Sequence, residues 1–119
     1  MKFAGFKFDD VELYKIAYKV SKECNSIYCG EIFLYVYNHC INMAEKLKDI
    51  NEAYSVFNVN QQMWCTLNYT TISKNIGCTT SNVSVAMKKL IEREYIISMD
   101  NSDLGLKLFT IGDKVLELL

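Results

Sequence analysis

Proline is absent from this 119-residue chain. Its helix ends must therefore be set by caps, glycines and polar clusters. Glycine is sparse, five in all, and no low-complexity tract or Pro/Gly-rich linker divides the sequence. No apolar run approaches the roughly 20 residues that span a bilayer. The opening MKFAGFKFDD has neither the apolar segment nor the cleavage site of a signal peptide, so a cytoplasmic protein with no membrane partner is expected. Histidine occurs once, as His39, and neither a glycine-rich phosphate loop nor a paired-carboxylate motif is visible. Catalysis needs a positioned base, nucleophile or metal, so an enzyme is not expected. Net charge is almost missing as well: 13 basic residues against 14 acidic ones leave −1. That excludes coating nucleic acid through bulk charge, but not reading it through a local basic face.

The five cysteines, Cys24, Cys29, Cys40, Cys65 and Cys78, are odd in number and form no CxxC pair. They read as reduced, buried, small hydrophobes. Zinc-ligand spacing is lacking, so neither a metal, nor another cofactor, nor a structural disulfide is expected.

What is present is a globular balance, 50% hydrophobic and 23% charged. The length suits one domain over 1–119. Twelve of the fifteen aromatic residues lie between Phe3 and Trp64, so the two halves have different tasks. Residues 1–61 read as N-terminal helices for dimerisation, and 62–119 as a second, more patterned part.

A first helix is expected over 10–24, with Asp9 as N-cap, Glu12 at the third helical position and Leu13, Ile16, Ala17, Val20 and Cys24 as its apolar stripe. A second is expected over 30–48, with Ile32, Phe33, Val36, Tyr37, Cys40, Ile41, Ala44 and Leu47 recurring at three-and-four spacing. Residues 49–61 have no period and read as a loop, and 62–66 as a short strand. In LNYTTISKNIG, Asn68 is an N-cap and Gly77 a left-handed stop. Thr79 then caps a helix over 80–93 that buries Val83, Ala86, Met87 and Leu90. Two short helices around a glycine turn make a helix-turn-helix. Period-two alternation from Tyr95 to Thr110 about NSDLG predicts a β-hairpin. Thr110, with Asp113 as capping partner, opens a last helix, KVLELL.

The residues also carry a resemblance. ISKNIGCTTSNVSVAMKKLIEREYII resembles a helix-turn-helix pattern of bacterial regulators, with Ile72, Ser73, Ile76, Gly77, Thr79, Val83, Ser84, Leu90, Tyr95 and Ile96 in its places. Glu94 stands where that pattern has glycine before the wing. FTIGDKVLELL resembles the segment after the wing in MarR-type regulators. The element order is similar to that of winged helix-turn-helix proteins with an extra N-terminal helix, and TubR-type plasmid and phage centromere-binding proteins resemble the same layout. The resemblance implies a mainly α fold with a small antiparallel hairpin wing (α+β) and a sequence-specific binder of double-stranded DNA.

On such a helix, 100° per residue turns Ser81, Asn82, Val85, Lys88 and Lys89 away from the buried stripe. Asn82 suits adenine, Ser81 either base type and Val85 a thymine methyl. Thr79, Thr80 and the free amides at the helix start suit phosphates, as do Lys88 and Lys89. Lys74 on the preceding helix and Lys107 on the wing would clamp the flanking backbone. One copy carries little charge for this work, so a homodimer is expected. Its surface is expected from Phe3, Phe6, Phe8, Tyr14, Tyr18, Tyr35 and Tyr37, with Val115, Leu116 and Leu119. Three roles remain open: a transcriptional regulator, a partition adaptor that recruits a filament-forming protein, and a winged helix used only for protein contact.

Overall fold

The computed structural model describes residues 8–42, 56–59, 62–103 and 105–119, with the side chains of 41, 42, 56–59, 62 and 63 excepted. Among these residues the elements are α1 (Asp10–Cys24), α2 (Ile27–Tyr37), a π-helical turn (Asn38–Asn42), β1 (Val56–Val59), β2 (Gln62–Cys65), α3 (Tyr69–Ile76), α4 (Thr80–Glu92), β3 (Ile96–Asn101), β4 (Leu106–Ile111) and a 3-10 turn (Asp113–Leu118). The strands form one antiparallel sheet in the order β1-β2-β4-β3. The fold is therefore α+β, mostly helical, with a small sheet at one side.

α1 begins where its cap chemistry places it. Asp9 Oδ1 accepts from the Glu12 N–H at 2.8 Å and Glu12 Oε1 accepts from the Asp9 N–H at 3.3 Å, a complete capping box. Its stripe Leu13, Ile16, Ala17, Val20 and Cys24 is buried. α2 is the central helix, packed by α1, α3, α4 and β4. It starts at Ile27, three residues before the expected Gly30, with Ser26 as its N-cap residue. Gly30 thus lies inside the helix, and the reason is tertiary. A Cβ there would run into the Ala17 carbonyl and Ser21 Oγ of α1. The Gly30 N–H donates to that Ser21 Oγ at 2.8 Å. The helix leaves α geometry at Asn38, and a π-turn carries the chain to Asn42. The expected continuation through Ala44 and Leu47 to residue 48 lies outside the described residues.

The expected loop over 49–61 is corrected in part: β1 occupies Val56–Val59 and pairs with β2, Phe57 opposite Trp64. Four residues without alternation carry no period, and the strand is defined by its partner. The last helix needs correction too. Thr110 is not its cap but a buried residue of β4, and the turn that follows Gly112 is 3-10 with no side-chain cap. β4 is an inner strand, so Leu108, Phe109, Thr110 and Ile111 are all buried and alternation is lost. Val115 is likewise fully buried in the chain's own core, not held for a partner, and Lys19 Nζ of α1 donates to the Leu118 carbonyl at 2.7 Å.

Glu94 closes α4 at φ 62, in the left-handed region, and the Tyr95 N–H reaches back to the Leu90 carbonyl at 3.0 Å. A side chain with a Cβ sits there at a cost of about 1–2 kcal/mol. Part of that is regained by the unfolded chain when glycine is introduced. Glu94→Gly is therefore expected to stabilise the protein by about 0.5–1 kcal/mol, read as a melting temperature raised by a few degrees. A lower melting temperature would show that the Glu94 side chain contributes more than its backbone costs.

Candidate nucleic-acid interface

The two helices ahead of the hairpin are built by local chemistry. Asn68 Oδ1 accepts from the Thr71 N–H at 3.1 Å and starts α3. Gly77, at φ 80, ends it. Thr79 Oγ1 accepts from the Asn82 N–H at 3.1 Å and starts α4. α3 packs on α4, and α4 sends Val83, Ala86, Met87 and Leu90 inward.

That orientation leaves Ser81, Val85, Lys88 and Glu92 in one line on the opposite side. All four are exposed, Val85 at 56%. Asn82 lies at the margin of this face and is half-buried. Thr79 and Thr80 are exposed at the α4 start, as is Lys74 on α3. Lys107 is exposed on β4, with its ammonium 6.0 Å from the Phe109 ring centroid. Lys89 differs from the rest. It is half-buried, and its charge, with that of Arg93, bears on the Cys24 and Cys29 thiols behind α4.

Two acids stand among these basic side chains. Glu92 continues the 81-85-88 line at four-residue spacing, which was legible in the sequence. Asp100 faces Lys107 across the hairpin, a pairing that depends on register. The face is thus polar and only weakly basic.

The structure also gathers four of the five cysteines into two pairs. Cys24 and Cys29 meet where α1 turns into α2. The hydrogen bond between them holds the Cys24 thiol far above its ordinary range and brings Cys29 down to about 7, against the opposing effect of its burial; Ser26, Lys89 and Arg93 add to the lowering. Cys29 Sγ also lies 3.7 Å from the Ala86 carbonyl of α4. Cys40 and Cys65 meet beyond the other end of α2, with their sulfurs 2.8 Å apart. His39 is half-buried and stacked on Tyr35 at 5.9 Å, and burial lowers its pKa. Among the described residues no three His, Cys, Asp or Glu side chains converge as metal ligands.

The N-terminal aromatic residues divide. Phe8 and Tyr37 pack on each other at 5.7 Å, and the Tyr37 hydroxyl accepts from the Phe8 N–H at 2.9 Å, so both serve this chain's own core. Tyr35 is half-buried. Phe3 and Phe6 lie outside the described residues. Tyr14 and Tyr18 are 66% and 70% exposed, beside Val11 at 78% and Ile27 at 76%. A groove of about 670 Å³ runs between α1 and α2 below them, with Lys22 and Glu31 in its walls. Leu116 is half-buried and Leu119 exposed at the far end of the chain. No helix among the described residues is long and apolar enough to cross a membrane. No protein-family model, no curated protein and no solved structure matches this chain, so its site is read from its own geometry.

Proposed function

We propose that this protein is a winged helix-turn-helix reader of double-stranded DNA that works as a homodimer, in the role of a transcriptional regulator. The observation that supports the reading is the line Ser81, Val85 and Lys88, turned outward on a capped helix, with Asn82 beside it and the β3–β4 hairpin following directly. An α-helix of this kind fits a major groove, with its first turns against base edges. Asn82 makes the two-point contact to adenine, Ser81 and Val85 read neighbouring positions, and Thr79, Thr80, Lys74, Lys88 and Lys107 hold phosphates. Lys89 has a smaller share because it is half-buried.

Weak charge makes the second copy necessary. Glu92 and Asp100 offset part of the basic side chains, and phosphate neutralisation supplies most non-specific affinity. The partner copy docks through Val11, Tyr14, Tyr18 and Ile27 at the α1–α2 groove. A two-fold interface apposes one patch with itself. Lys22 of one copy can then meet Glu31 of the other, because the groove carries both signs. A partition adaptor would use the same DNA face; an array of direct repeats in its selected DNA would identify that role. The exposed Val85 on the same face as the acid Glu92 favours one second reading, in which the face docks a protein instead.

Salt titration of binding to a duplex selected from the protein's own genome, and to a random duplex, decides between them. Asn82→Ala is expected to weaken the selected duplex by about 1–3 kcal/mol and leave the random one unchanged. Lys88→Ala is expected to weaken both and to reduce the salt slope by about one unit. Two chains per site are expected by light scattering of the complex. If Asn82→Ala/Lys88→Ala binds the selected duplex like the parent, α4 is not the reader and the protein-docking reading replaces this one.

A further inference from the structure

We propose that Cys40 and Cys65 form a dithiol that closes to an intrachain disulfide in exchange with a low-molecular-weight disulfide such as oxidised glutathione. The inference does not depend on the DNA reading. Spacing gives no hint of it, since the two cysteines are 25 positions apart. The fold makes the pair. Cys40 stands in the π-turn that follows α2, and Cys65 ends β2, where it is in register with Val56 and Phe109. Both are fully buried, and Cys40 Sγ lies 2.8 Å from Cys65 Sγ and 3.5 Å from the Phe109 carbonyl. A disulfide needs its sulfurs at about 2.05 Å, so the pair closes by a shift of less than about 1 Å. Elements on both sides hold the backbone in place while it does so.

The exchange balances as follows. One cysteine, as thiolate, attacks a sulfur of oxidised glutathione; the glutathione S–S bond breaks, a protein–glutathione bond forms and one glutathione thiolate leaves. The second cysteine loses its proton and displaces the second glutathione. One S–S bond has formed in the protein and one has been broken in the oxidant. The two thiol protons end on two reduced glutathione molecules. Because the sulfurs are buried, the reaction runs through local opening or during folding. The link ties α2 to the sheet across the whole intervening segment. A bridge of that span restricts the unfolded chain strongly, which raises thermal stability.

Cys24 and Cys29 are the internal comparison. They are only five positions apart and their link would restrict little. Cys78 is only partly buried, unlike the other four cysteines.

The test uses the full chain. It is unfolded, refolded in an oxidising glutathione buffer, alkylated, and read by intact mass and peptide mapping. Expected are a loss of two hydrogens, a single Cys40–Cys65 link, and a melting temperature several degrees above that of the reduced protein. Cys78→Ala should behave like the parent, and Cys65→Ala should lose both the link and the gain. Five alkylated thiols in the folded product, a Cys24–Cys29 link in its place, or a linked protein that melts below the reduced one would each overturn the proposal. The parent mapping decides the matter even if Cys65→Ala does not fold.

Discussion

Phe33→Ala is expected to destabilise the fold by about 3–5 kcal/mol. Phe33 is fully buried on the central helix α2. Its ring packs 6.3 Å from that of Tyr37, which in turn holds Phe8 by ring contact and by hydrogen bond. Removing the ring loses its transfer free energy and leaves a cavity between elements that cannot close on it, because α2 is packed from several sides. A domain of this size has about 5–15 kcal/mol in total. The variant is therefore expected to lose a large share of its stability. Urea titration followed by circular dichroism measures it, with Phe33→Leu as the milder truncation and a smaller expected loss. A loss below 1 kcal/mol for Phe33→Ala, on the order of a surface change, would mean that the α2 core is not built as described.

Gly30→Val is expected to cost about 3 kcal/mol, at the upper end of overpacking. Helix propensity alone points the other way, since glycine inside a helix is roughly 0.5–1 kcal/mol worse than alanine and still somewhat worse than valine. The contact decides the sign. The first side-chain carbon would overlap the Ala17 carbonyl and Ser21 Oγ, and Ala17 contributes backbone that cannot turn aside. To make room, α1 and α2 must separate, and the groove beneath Tyr14 and Tyr18 must open with them. The same melts read this loss. Self-association should fall with it, because that groove is the proposed dimer surface. A variant as stable as the parent would show that α1 and α2 do not touch at Gly30.

Much of this molecule was written locally. The caps Asp9, Asn68 and Thr79, the stop at Gly77 and the buried stripes of α1 and α4 were legible because each depends on residues within one or two turns. For the same reason the outward line Ser81, Val85 and Lys88 was legible: helix periodicity places it once the inner stripe is known. Even the departure at Glu94 was visible, although only the backbone revealed that the position takes the left-handed conformation of the missing glycine.

The rest depended on partners distant in sequence. β1 has too few residues to announce a period and exists through its pairing with β2. β4 loses alternation because β2 and β3 flank it. Gly30 sits inside a helix because another helix touches it there. Asp100 lies opposite Lys107 through hairpin register, and Lys89 is half-buried through helix packing. The pairing of Cys40 with Cys65 follows from the meeting of a π-turn and a strand. Local hydrogen bonding and periodicity are properties of short segments and can be read along a chain. Close approach, register and burial are properties of what lies opposite, and only the folded structure puts it there.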